Sequence, residues 1–421
     1  MNRILVFSWF YPPVNSSEGL VTYKLIKASG YSYDVFTQKN NDLWSYGKED
    51  YLPAPDNVNS IYAKAETIDE WWKEGVEYFK KNADKYDVIM TRSMPPESHK
   101  IGLEIKKIKP EIKWLASFGD PIANNPYTLM FVSFESPHSR KNCRNILGVF
   151  SPKRIIRNIL FHLKTLASTK KTLKKEEDLQ NSIFAVCDRI IFNSDNQKEY
   201  MFNSFNGDCN GKAFVLNHSF DPLLFPEKKK PNKVKTMSYV GHLDNIRTPK
   251  LLLEALSELA EEDKELASKF HLDFYGDLSD YDKLFIMNNE LCDIVSVRKP
   301  VSYLDSLKIM KNSDWLLHVD GNITQITPKN IFFAAKLADY IGAKNPIFGI
   351  TMQNGVSADI MNRLGSVCVS YSKSEIKNYL WLIIYKGYTV TTNEEYRFEF
   401  SNKAVADKFD GVVRSLTGKE D

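Results

Sequence analysis

Ile4-Leu5-Val6-Phe7 runs into Ser8-Trp9-Phe10-Tyr11-Pro12-Pro13-Val14-Asn15-Ser16-Ser17-Glu18-Gly19, and then into apolar positions at Leu20, Tyr23, Leu25 and Ile26. The first four residues are an unbroken apolar run of strand length. Unbroken rather than alternating runs suit a parallel sheet covered on both faces. The loop is rich in proline, serine and glycine, and the positions beyond it suit a helix. Strand, small-residue loop and helix together open a Rossmann-like unit.

The alternation continues outward from there. Strands are predicted at residues 33–37, 86–90, 114–118 and 188–193, with helices at 68–82, at 99–109 and, after the last of these strands, through 201. Val215-Leu216-Asn217-His218 closes this half. The polar stretch Pro226-Glu227-Lys228-Lys229-Lys230-Pro231-Asn232-Lys233 reads as a linker or exposed loop. The pattern then restarts, with strands at 236–240, 271–275, 295–297, 315–318 and 346–350 and helices at 251–262, 303–312 and 334–341. An α/β chain with two such halves implies two doubly wound domains facing each other across a cleft, with the ligand at the carboxyl ends of the strands. The expected boundaries are 1–222 for the first domain, 223–398 for the second and 399–421 for a helix returning to the first.

Composition agrees with this. A chain of 421 residues exceeds what one core supports, and 43% hydrophobic with 26% charged residues is ordinary for globular domains. Cys143, Cys187, Cys209, Cys292 and Cys368 are scattered and odd in number, which points to a reducing compartment and against structural zinc. The first apolar run is too short for a signal peptide, and no stretch approaches the ~20 apolar residues of a membrane span. A cytoplasmic protein is expected. One segment, 139–180, departs from the pattern. From Ser139 to Lys175 it has no acidic residue, and Arg140, Lys141, Arg144, Lys153, Arg154 and Arg157 interleave with Ile146, Val149, Ile155 and Ile159. Two readings stand for it: contact with an anionic membrane surface, or an excursion packed on its own domain. No recognisable nucleic-acid reader is present.

Five stretches could carry chemistry. The first loop ends in Glu18-Gly19 at a helix start, where backbone can approach a phosphate. Ser117-Phe118-Gly119-Asp120-Pro121 ends a strand on the cleft side, with a plain turn role for Asp120 as the alternative. Asp188–Ser194 and Val215–Asp221 read mainly as support for the fold, with Ser194 a helix cap. Tyr239-Val240-Gly241-His242-Leu243-Asp244-Asn245-Ile246-Arg247 opens the second half. Lys336-Leu337-Ala338-Asp339-Tyr340 leads to Asn345-Pro346-Ile347, and here a structural Lys336–Asp339 pair is the alternative.

In order and context these stretches resemble the retaining GT-B glycosyltransferases of family 4, across nearly the whole chain. The resemblance implies a nucleoside-diphosphate-sugar donor, with Gly19, Gly241, His242, Arg247 and Lys336 at its diphosphate and Asp339 at its ribose hydroxyls. It puts Arg298 near the nucleobase. Asp120, Arg247 and Lys336 are the candidate catalytic residues. His242 stands where the family often has an arginine, Glu18 where it has the first of two glycines, and Ile331 where it often has a sugar-binding glutamate. Lys329 or Asn330 would substitute for that glutamate. His318 or Asp320 at the end of a strand could touch the sugar, with a turn role equally open. No metal or other cofactor is expected. The implied acceptor is a glycan or lipid-linked acceptor in bacterial surface polysaccharide synthesis. A non-catalytic sugar-nucleotide-binding or partner protein is the second reading. A GT-B epimerase is a third, for which paired carboxylates and histidines in the cleft cannot be assembled from sequence.

Overall fold

The computed structural model describes residues 3–13, 16–39, 52–132, 171–205, 207, 209, 211–227 and 232–418. Most of the basic segment and part of the linker therefore lie outside the described residues. Residues 171–186 form a helix that seats Ile183 and Phe184 in the core of the first half.

β1 (Ile4–Phe7), β2 (Tyr33–Gln38), β3 (Val58–Ala63), β4 (Val88–Arg92), β5 (Lys113–Ser117), β6 (Arg189–Phe192) and β7 (Ala213–Val215) make one sheet, in the order β3-β2-β1-β4-β5-β6-β7. β8 (Lys235–Val240), β9 (Phe270–Tyr275), β10 (Val295–Arg298), β11 (Trp315–Val319), β12 (Ile347–Ile350) and β13 (Val367–Val369) make the second, in the order β10-β9-β8-β11-β12-β13. The strand pairs are parallel throughout. β1 pairs with both β2 and β4, Ile4 standing opposite Tyr33 on one side and Val88 on the other. Strand order thus reverses between β1 and β4, and likewise between β8 and β11. Such reversals leave a crevice at the carboxyl ends of the strands.

The apolar run of β1 is unbroken because it serves two cores at once. Successive strand side chains point to opposite faces. Leu5 and Phe7 join Trp71, Phe79 and Trp114 on one side; Ile4 and Val6 join Tyr23, Val35 and Phe409 on the other. β11 repeats the arrangement, with Trp315 and Leu317 packed against Leu252 and Leu256, and Leu316 against Leu307 and Tyr340.

Sequence expectation and structure differ at some edges. β4 begins two residues later than its alternation suggests, because Tyr86 closes the preceding turn by donating its N–H to Ala83 at 3.4 Å. β3 is an edge strand whose residues are mostly only partly buried, so Asn59 and Ser60 blur the apolar signal. Helices Val356–Leu364 and Lys373–Tyr385 and strand β13 also complete the second half.

The halves are tied near their connection. Phe220 N–H donates to the Phe400 carbonyl at 2.9 Å, and Asn402 N–H to the Phe220 carbonyl at 2.7 Å. Helix Asn402–Thr417 then packs Val405, Phe409 and Val413 against Tyr23, Leu25 and Ile26 of helix Ser17–Ala28. The Asp410 carboxylate accepts from Ser29 Oγ at 2.6 Å and Gly30 N–H at 2.8 Å.

Candidate functional site

A cavity of about 390 Å³ lies between the two halves. Its wall is drawn from segments that follow β1, β5, β7, β8 and β11, the carboxyl ends where the crevice opens. The first half contributes Ser17, Glu18, Gly119, Asp120, Tyr127 and His218; the second contributes Gly241, His242, Arg247, His318, Asp320 and Phe332 through Lys336.

Ser16 caps helix Ser17–Ala28 by accepting from Gly19 N–H at 3.1 Å, so this glycine's amide serves the helix itself. A side chain at Gly19 would begin 3.2 Å from the Phe10 backbone, which accounts for glycine there. The neighbouring Glu18 turns onto Arg92 at the end of β4, with 2.6 Å between Oε2 and Nη2. Arg92 Nη1 also donates to Ser117 Oγ at 2.8 Å. The Glu18 carboxylate fills the space beside Gly119, where a β-carbon would meet its Oε1 at 2.3 Å. The Gly119 carbonyl is gripped by Asn193 Nδ2 at 2.6 Å and Gln197 Nε2 at 2.9 Å. This fixes the peptide that presents Asp120. Burial, and then the negative charge of Glu18, push the Asp120 carboxyl up to about 7; Arg247 and Arg92 offset only part of this.

On the facing wall β8 ends at Gly241, whose φ of 128° is a backbone region that favours glycine. Gly276 at the end of β9 leaves room for that turn, since a β-carbon on it would lie 1.9 Å from the Gly241 carbonyl oxygen. The loop then folds over Asp244, which accepts from the Ile246 and Arg247 N–H groups at 2.8 and 2.7 Å. Arg247 Nη2 lies 3.2 Å from Asp244 Oδ2, and its guanidinium sits 5.7 Å from the centre of the Tyr127 ring. Lys336 reaches the same place from helix Ala335–Ala343. Its Nζ donates to Tyr239 Oη and stands 4.2 Å from the centre of that ring. Burial, and then the nearby Arg247, hold Lys336 down to about 7. The Lys336–Asp339 pair weighed in the sequence is not formed.

His242 is an exposed part of the wall, 3.9 Å from Asp277. His218 stacks on Phe333 with ring centres 5.2 Å apart, and burial, followed by Arg92 and Lys24, keeps its imidazole down to about 3 and therefore neutral. Three of the chain's seven histidines thus meet in this cavity.

The structure gathers Asp120, Gly241, His242, Arg247 and Lys336 around one space. It leaves Gly19, Arg298, Asn330 and Asp339 out of the wall. Asp339 is buried, and its Oδ1 accepts from Lys24 Nζ at 2.8 Å and Tyr303 Oη at 3.1 Å. The carboxylate assigned to ribose by resemblance is engaged by a lysine of the opposite half. Asn330 is buried too, donating to Asp320 at 2.8 Å and accepting from Phe332 N–H at 2.9 Å, so its amide orders the loop beneath the cavity. Arg298 lies on the outside of β10, paired with Asp273 at 2.8 Å. Glu18, Arg92, Tyr127 and His218 are the wall and supporting residues that sequence reasoning did not assign to chemistry. Glu18 could have been suspected as an acid in the first turn of a cleft helix, but the resemblance reads it as a missing glycine. Among the described residues no group of three or more His, Cys, Asp or Glu side chains is placed to hold a metal ion.

No protein-family model matches this sequence, and no curated protein matches it. Solved structures do. Sucrose-phosphate synthase from Thermosynechococcus elongatus is similar with a TM-score of 0.66 at 13% identity, over 99% of this chain and 100% of that one. An α,α-trehalose-phosphate synthase (UDP-forming) from Burkholderia xenovorans, in complex with glucose-6-phosphate, is similar with a TM-score of 0.61 at 11% identity, over 99% and 100%. A putative UDP-N-acetylglucosamine 2-epimerase from Listeria monocytogenes is similar with a TM-score of 0.55 at 11% identity, over 100% and 97%. Likeness at such identities is likeness of fold. Two Rossmann-like domains, each built on a parallel sheet, enclose a cleft at the carboxyl ends of their strands, and the fold is GT-B. Among the described residues no helix is long and apolar enough to cross a membrane.

Proposed function

We propose that this chain transfers a sugar from a nucleoside-diphosphate sugar to a glycan or lipid-linked acceptor. The observation that carries the reading is a single interdomain cavity with Arg247 and Lys336 on one wall and Asp120 and Glu18 on the other. In the transfer the bond between the anomeric carbon and the phosphate oxygen breaks, and the nucleoside diphosphate leaves with the electron pair. The acceptor hydroxyl oxygen bonds to that carbon, and its proton goes to the departing phosphate. Arg247 and Lys336 compensate the charge that grows on the diphosphate, where preorganised cations act most strongly. Lys336 is partly neutral near pH 7 and takes up a proton when the diphosphate arrives. Asp120, in its protonated form, donates a hydrogen bond to an oxygen of the bound sugar.

The resemblance to family 4 supports retention at the anomeric carbon, transfer without a metal and a place in surface polysaccharide synthesis. The basic composition of 139–180 supports an anionic membrane surface beside a lipid-linked acceptor. A second reading, nucleotide-sugar epimerisation, is favoured by one observation. The cavity gathers three carboxylates and three histidines, the acid–base groups such a reaction requires. Incubation with UDP-, GDP- and ADP-sugars and simple saccharide acceptors, followed by phosphorus and proton NMR, separates the readings. Released nucleoside diphosphate with a new glycosidic signal supports transfer. An altered sugar nucleotide with no release supports epimerisation. Binding with neither product leaves the non-catalytic partner reading.

A further inference from the structure

β11 ends in a buried pair that the transfer chemistry above does not use. His318 Nε2 lies 3.0 Å from Asp320 Oδ1. Asp320 Oδ2 accepts from Thr351 Oγ1 at 2.6 Å and from Asn330 Nδ2 at 2.8 Å, and Tyr371 Oη donates to the Asp320 carbonyl at 3.1 Å. Only 1% of His318 and 5% of Asp320 is exposed. Burial alone would raise the Asp320 carboxyl, but His318 and the hydroxyl donors outweigh it and hold the group down to about 2. A fixed carboxylate of this kind sets the tautomer of its histidine, placing the proton on Nε2. Nε2 also lies 3.3 Å from Ser357 Oγ, which leaves Nδ1 as the other ring nitrogen. It is buried and has no hydrogen-bond partner, although His318 belongs to the cavity wall.

A sugar hydroxyl both donates and accepts, so it pairs with Nδ1 whether the ring is neutral or charged. A diphosphate oxygen only accepts, and the Asp320 charge beside the ring repels it. We propose that His318, oriented by Asp320, is a specificity-determining residue that forms a hydrogen bond with a hydroxyl of the transferred sugar. The inference rests on the nucleotide-sugar reading of the cavity. A site built to hydrogen-bond a hydroxyl discriminates strongly against analogues that lack it, because its own buried group is then left unpaired.

The test is calorimetric titration of the full chain and of His318→Gln with UDP, GDP and ADP, and with UDP-glucose, UDP-galactose, UDP-N-acetylglucosamine, GDP-mannose and ADP-glucose. The inference expects the nucleoside diphosphate to bind wild type and variant within about twofold of each other. It expects the extra affinity contributed by the sugar to fall about tenfold in the variant. Nitrogen-15 NMR of the wild-type histidines reads the same contact without a substitution. The Nδ1 signal of His318 should move with the sugar nucleotide and stay in place with the bare diphosphate. Equal losses for both ligands, no loss for either, or an unmoved Nδ1 signal overturns the inference while nucleotide binding stands. Absence of any nucleotide binding to wild type overturns the underlying reading, and the inference with it.

Discussion

Asp120 shows how a residue type can be legible while its chemical state is not. The sequence places an aspartate at a cleft-facing strand end. Its high proton affinity comes from burial and from Glu18, which arrives from a different strand–helix junction. The sign of the pH effect follows. A carboxyl raised to about 7 in the folded chain, against an ordinary value of 3.8, binds its proton more tightly folded than unfolded. Its contribution to stability is complete below about pH 4 and is lost as pH rises towards 7. Asp120→Asn removes this dependence. Between pH 4 and pH 7 the wild type should lose on the order of 3 kcal/mol relative to the variant, as read from urea unfolding at each pH. Parallel curves for the two proteins would mean that Asp120 is ionised throughout. The two motif cations were legible because glycine, arginine and lysine sit at fixed places relative to strand ends and helix starts. Glu18 was not, because its partner Arg92 stands 74 residues away in the chain.

At the level of elements, helix Ser17–Ala28 of one half and helix Ala335–Ala343 of the other are joined by the Lys24–Asp339 pair, with side-chain exposures of 1% and 7%. No local pattern in either helix shows this. Lys24 reads as an ordinary helical lysine, and Asp339 reads through the resemblance as a ribose ligand. Removing one partner of a buried pair strands the other charge and typically costs about 3–5 kcal/mol, whereas replacing both with apolar groups is near neutral. Lys24→Met alone should therefore destabilise strongly, and Lys24→Met with Asp339→Leu should recover most of the loss. Urea unfolding of the four members of the cycle checks this. Additive losses would show that the helices are not coupled through these side chains. Strands and helices were largely legible because their apolar periods are dictated by burial on one face or two. Edge strand β3 was not, since partial burial erases the period.

At the scale of the whole molecule, two runs of alternating strands and helices suffice to indicate two parallel sheets, and the strand reversals between β1 and β4 and between β8 and β11 create the cleft. What the sequence could not give was which residues meet across it. That depends on how the halves are seated on each other, through contacts such as Tyr127 on Phe332, with ring centres 4.6 Å apart, and Ser194 Oγ on the Ile331 carbonyl at 3.2 Å. The seating draws Asp339 onto Lys24 of the opposite half and brings Glu18 and His218 into the cavity.

The most direct test of the central claim, a diphosphate site built on Arg247, is thermal unfolding of wild type and Arg247→Ala with UDP, GDP, ADP and CMP. At a hundred times its dissociation constant a ligand adds about 2.7 kcal/mol. The account predicts that one nucleoside diphosphate raises the wild-type melting temperature by about 5 °C, and that Arg247→Ala loses most of that rise at the same concentration. Equal stabilisation of both proteins, or of neither by any of these nucleotides at millimolar concentration, would contradict it.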